Sequence, residues 1–252
     1  MSNLPALRPA APTDEIATLA RAYTRANGPA MALINRMGGG IESQLDRLPP
    51  RLRAELERAT IAALTAAHGL AGIAEQGPDL GRRGSTLAAM ATGVAGGAGG
   101  LASSLAELPL TITVILHAIR REATLAGFDA NEPGIRAACL EVFAAGSPLQ
   151  QDDGANSAFL SARLTLTGPA IQKIITTVAP RLAAAMGQKL AAQMVPVLGA
   201  LTGAALNAAY LGYYREMARI RFALMHLAEQ HGGEQVVTAF AAAAALPKIL
   251  KA

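Results

Sequence analysis

Glu107 is the one formally charged side chain between Ser85 and Ile119, a stretch built mostly from Ala, Gly, Leu, Ser, Thr and Ile. A carboxylate placed there does one of two things. It serves a ligand or substrate as acid, base or counter-charge, or it holds a buried partner that fixes helix register. On a continuous helix Gly93, Gly97, Gly100, Ser104 and Glu107 recur at i, i+4, i+7, i+11 and i+14, a groove of missing side chains with the carboxylate at its end. A second set, Lys189, Gln193, Pro196, Ala200, Gly203, Asn207, Tyr210 and Tyr214, also shares one helical face inside an apolar segment. Buried Lys, Gln and Asn each need a partner, and Glu107 is the natural one for Lys189. Glu107, Lys189, Asn207 and Gln193 are therefore the candidate binding residues. His117 and Arg121, one turn apart just downstream of Glu107, join them as candidates.

Other chemistry is not supported. The chain has no Walker-type, dinucleotide-binding, nucleophile-elbow or Cys-x-x-Cys motif. His226 and His231 are five apart, where helical zinc motifs need four, so no metal site and no cofactor are expected. Cys139 lies between apolar neighbours and reads as core filler. The net charge is +4, but the arginines and lysines are scattered in ones and twos, without the basic stripe and stacking aromatics of a nucleic-acid binder.

The elements that must carry these residues read as helices throughout. No alternating apolar–polar run and no βαβ rhythm appears. The expected fold is all-α, a single multi-helix bundle with a Gly/Ala-rich central helical hairpin. Residues 1–12 read as a disordered Pro-rich tail and 13–252 as one all-α domain. A helix is expected from Thr13 to Arg25, and a longer one after Pro50. A Gly-rich helix follows with Ser85 as N-cap, and a separate helix to Leu125 begins at Pro109, which should break the preceding one. Further helices are expected at 132–143, 196–230 and 234–246, with His231 beyond the end of the penultimate one. Gly38-Gly39-Gly40 and 150–157 read as loops.

Two uncharged windows, Ser85–Ala106 and Leu190–Tyr214, reach the ~20 residues of a membrane span, but Ala, Gly, Ser and Thr dominate them and buried core helices are expected instead. The lone cysteine and a start without a signal-peptide core lead to an expected cytoplasmic location, peripheral to the inner membrane.

Several blocks resemble the EcsC protein family: the Gly-rich segment running into Glu107-Leu108-Pro109, Leu140-Glu141-Val142-Phe143 with Gly146, Gly187-Gln188-Lys189, and above all Pro196-Val-Leu-Gly-Ala-Leu-Thr-Gly-Ala-Ala-Leu-Asn207. They run in order from about Gly38 to Gly232. The resemblance implies an all-α fold and membrane-related biology, and it supplies no catalytic residues. The expected function is a non-enzymatic protein at the membrane surface, binding lipid or a membrane protein through the Gly/Ala-rich groove. Two rivals differ in class. One is a hydrolase- or transferase-like enzyme with Glu107 as acid or base and Lys189 or Arg121 stabilising charge. The other is a self-associating, membrane-inserting protein built on Gly93-x-x-x-Gly97 and Gly96-x-x-x-Gly100.

Overall fold

The computed structural model describes residues 12–28, 50–69, 81–98, 100–145, 175 and 199–244. Among them are α1 (Thr13–Ala26), α2 (Pro50–Gly69), α3 (Gly81–Ala98), α4 (Gly100–Leu125), α5 (Pro133–Ala145), α6 (Gly199–His231) and α7 (Gly233–Ala244), and no strand. The fold is all-α, with α3 and α4 as its Gly/Ala-rich hairpin. The segments 1–11, 29–49 (with Gly38-Gly39-Gly40), 146–174 and 176–198 (with Lys189, Gln193 and Pro196) lie outside the described residues.

The spine is α6, 33 residues and about 50 Å long. It is buried on most sides because it feeds two apolar clusters. Tyr210, Leu211, Tyr214, Met217 and Phe222 pack with Leu56 and Leu64 of α2, Ile112, Ile115 and Ile119 of α4, and Leu140 of α5. Further along, Ile220, Leu224 and Leu227 pack with Ile16 and Leu19 of α1 and with Val236 and Phe240 of α7. Tyr23 closes that second cluster edge-on against Phe240, with ring centroids 5.8 Å apart. The hairpin lies along the first part of α6, and α2 covers the far side of α4.

Four local expectations are corrected. The Gly-rich helix starts at Gly81, not Ser85, and the Ser85 hydroxyl donates back to the Gly81 carbonyl at 2.7 Å instead of capping. The helix does not run from Ser85 through Glu107, so Gly93 and Glu107 do not share one helical face. They stand on the two arms of the hairpin, because the Gly96–Gly100 run disfavours helix by about 1 kcal/mol per glycine relative to alanine. Pro109 does not break the chain either. It sits inside α4 with its ring on the exposed side, while Glu107 and Thr111 on either side of it are buried. Packing on that inner side offsets the proline's missing hydrogen bond and ring clash, a cost of ~3 kcal/mol. His231, too, ends α6 and does not lie beyond it.

α4 stops where the sequence supplies a glycine. Gly127 has φ +88°, the Phe128 amide donates to Ala123 O at 3.1 Å, and the Gly127 amide donates to Thr124 O at 3.0 Å. This is the paired Schellman pattern, and Phe128, the residue beyond the glycine, packs on Phe222 at 5.8 Å. A Cβ at Gly127 would meet nothing within 4 Å, so only the backbone conformation opposes a side chain. Gly127→Ala should therefore lower stability by about 1–2 kcal/mol in urea unfolding, without altering the helical circular dichroism. An unchanged midpoint would show that the turn is not held in this conformation.

Candidate functional site

The site is built where α3, α4 and α6 meet. Asn207 of α6, 1% exposed, points its amide into the hairpin. Its Nδ2 donates to the Ala89 carbonyl at 2.9 Å, to Thr92 Oγ1 at 3.0 Å and to Glu107 Oε1 at 2.6 Å. Two N–H groups are thus shared among three oxygens. The Ala89 carbonyl can only accept, which fixes the nitrogen on that side of the amide. Glu107 is 7% exposed, and its Oε1 also accepts from the Thr111 hydroxyl at 2.7 Å. The Asn207 Oδ1 has no hydrogen-bond partner among the described residues. One amide therefore ties both arms of the hairpin to the spine, and its shortest bond goes to an ionisable oxygen, where hydrogen bonds are strongest.

A second polar layer lies two turns along α6. Arg215 donates to Ser85 Oγ at 2.8 Å, and its Nε lies 4.0 Å from Glu122 Oε1 of α4. As α6 advances from Asn207 to Arg215, its contacts on α3 retreat from Ala89 and Thr92 to Ser85, so these two helices run antiparallel. Burial pushes the Glu122 carboxyl up from its ordinary value, and Arg215, Arg82 and Arg121 only partly offset it. Burial likewise pulls Arg215 down, with Arg82 adding to the effect and Glu122 opposing it. A third layer faces α5: Arg221, 2% exposed, bonds Glu141 Oε2 at 3.1 Å. Burial raises Glu141 and lowers Arg221, each partly compensated by the other.

The three layers span the part of the chain in which a family model finds its match. The model of the EcsC protein family matches residues 80–227, more than half of the chain. The chain belongs to that family. No curated protein and no solved structure matches it. The EcsC match is shorter than the Gly38–Gly232 stretch over which the sequence blocks run. It takes in α3 to most of α6, and α1, α2 and α7 lie outside it.

Within the EcsC region, the candidates picked from sequence separate into three groups. Glu107 and Asn207 come together directly. Lys189 and Gln193 fall outside the described residues, so the expected Lys189 partnership is not in view. His117 and Arg121 are half-exposed on α4, about 15 and 21 Å along its axis from Glu107 by helical rise, and do not join the Asn207 contact. Arg121 acts instead on Glu122 and Arg215. Ser85 as a partner, Thr92, Thr111, Glu122, Arg215, Glu141 and Arg221 join these layers without being marked as site residues by the sequence pattern. The arginines were hidden by neighbours such as Glu216 and Arg219, which pair with each other on the surface at 2.6 Å. The usable signal was their register, since Arg215 and Arg221 adjoin the buried Tyr214 and Phe222 on α6.

Two other sequence features take no part. Cys139 is 1% exposed and burial pushes its thiol up to about 12, which removes it as a nucleophile at neutral pH. His226 is exposed beside Gln230, 3.0 Å away, and among the described residues no cluster of His, Cys, Asp and Glu has the makings of a metal site.

The raised Glu122 carboxyl makes stability depend on pH. The folded protein binds this proton more tightly than the unfolded chain. The group's contribution is therefore full below the ordinary value of 4.5 and is lost as pH rises through the higher folded-state value. Relative to Glu122→Gln, which cannot ionise, the wild type should lose stability as pH is raised from 4.5 to neutral, measured by urea unfolding across that range. A difference constant with pH, or one of opposite slope, would show that Arg215 outweighs burial.

Proposed function

We propose that this EcsC-family protein is a non-enzymatic helical protein that works at a membrane surface, binding lipid with its Gly/Ala-rich hairpin. The observation that carries the reading is where apolar surface remains exposed. Among the described residues, the large exposed hydrophobics are Leu87, Met90 and Val94 of α3 with Leu110 and Leu125 of α4, all on the hairpin. Exposed apolar side chains gathered on one unit mark an interaction surface more often than chance exposure does. No helix among the described residues is long and apolar enough to cross a membrane, so the contact is one of lying on the bilayer. The net charge of +4 favours an anionic surface. The membrane-related biology implied by the family agrees with this reading.

In this reading Glu107 and Asn207 are the internal fastening of the hairpin and not its lipid contact, since both are buried and bonded to each other. Arg221 and Glu141 fasten α5 in the same way. The reading is tested by co-sedimentation of the purified protein with phosphatidylcholine vesicles, with and without phosphatidylglycerol, at low and high salt. The protein should pellet with the anionic vesicles at low salt and be largely released at high salt. Protein that stays in the supernatant with every vesicle would overturn the reading.

A further inference from the structure

The outer face of α3 has a pattern of its own. Arg83, Leu87, Met90 and Val94 follow one another at i, i+4, i+7 and i+11, which places them within a narrow sector of the helix at 100° per residue. Ser85, Ala89, Thr92 and Gly93 occupy the opposite sector and are buried against the rest of the bundle. Leu87 is 65% exposed, Val94 44% and Met90 38%, so the stripe faces outward and is most open at Leu87. It carries no acidic residue, and α3 contains none at all.

The end of α3 where the stripe begins is cationic. Arg82, Arg121 and Arg215 all act on the buried Glu122, and Arg219 holds Glu216 through two bonds of 2.6 and 3.1 Å. With Arg83, that end gathers five arginines against two glutamates. A row of outward apolar side chains starting from a positive collar has the chemistry of an interfacial helix, with apolar groups in the acyl boundary and guanidinium groups at the phosphates. An acidic protein partner would answer the arginines but would leave Leu87, Met90 and Val94 without an acyl or apolar counterpart along the stripe.

We infer that α3 is the docking element of this protein, lying in the plane of an anionic bilayer with Leu87, Met90 and Val94 inserted and Arg82 and Arg83 at the headgroups. The inference rests on the membrane-surface reading above and specifies the face and the lipid charge that reading leaves open. About 10 Å separates Leu87 from Val94 along the axis, so the insertion is shallow and local.

The chain contains no tryptophan, so Met90→Trp gives a single fluorescent reporter on the stripe. On phosphatidylglycerol-containing vesicles its emission should shift to the blue and be quenched by lipids brominated on the acyl chain. Leu87→Ser with Met90→Ser and Val94→Ser should weaken vesicle binding by at least ~10-fold while lowering the melting temperature only modestly, because Leu87 is mostly exposed and Met90 and Val94 partly so. Arg82→Ser with Arg83→Ser should weaken it by roughly fivefold per arginine at low salt and much less at high salt. Wild-type binding that survives the triple substitution, with an unquenched reporter, overturns this inference and leaves the membrane-surface reading standing. Wild-type protein that binds no vesicle overturns both. A concentration-dependent dimer abolished by the triple substitution, without vesicle binding, assigns the stripe to a second copy of the chain and overturns the inference.

Discussion

The arrangement of this protein depends on polar groups that α6 carries into a place water does not reach. An amide or a guanidinium buried without partners costs several kcal/mol, and a buried carboxylate costs more. Asn207, Arg215 and Arg221 each offset part of that cost through partners on other helices, with Ala89, Thr92 and Glu107, with Ser85 and Glu122, and with Glu141. Apolar packing alone would tolerate sliding between helices as rich in alanine and glycine as these. Ala-on-Ala contacts look much alike at every turn, whereas a displaced Asn207 would lose its bonds to Ala89, Thr92 and Glu107. The polar layers therefore supply uniqueness, and the apolar clusters supply most of the driving force.

That division of labour explains how α3 can be both tightly held and outwardly apolar. Its inner sector is made of Ser85, Ala89, Thr92 and Gly93, small enough for the α6 backbone to approach and polar enough to be specifically bonded. Its outer sector is released from any structural duty within the bundle. Leu87, Met90 and Val94 stand there at a cost in solubility that a protein working only in water would have little reason to bear. The fold fastens the hairpin from within, and on the proposed reading its other face is left for a membrane surface.

Much of this was legible in the sequence. The all-α class followed from composition and from the absence of period-2 alternation. Glu107 and Asn207 stood out as polar residues in segments too apolar to be solvated, and they do meet. Charge pairs Glu107 with Lys189, which lies outside the described residues, while the Asn207 amide that does meet Glu107 is neutral and gives no hint of pairing across a hundred positions. Pro109 misled because a proline's local cost is visible in sequence and the packing that offsets it is not. The Gly96–Gly100 run misled in the other direction. Its spacing fits one continuous helical face, yet one helix ends at Ala98 and the next begins at Gly100, within a run rich in the residue that favours helix least after proline. Arg215 and Arg221 were lost among charged neighbours, since Glu216 and Arg219 give that stretch the look of a solvated face.

The central claim is that the Asn207 amide and the Glu107 carboxylate act as one unit joining the hairpin to the spine. A double-mutant cycle with Glu107→Ala and Asn207→Ala, read by urea unfolding at neutral pH, tests it most directly. The account predicts a coupling energy of about 1.5–3 kcal/mol, the range for a hydrogen bond to a charged group, with the double variant less destabilised than the two single losses added. Single losses that simply add would contradict it, because each residue would then be held by its other contacts and the register of α6 on the hairpin would not depend on their bond.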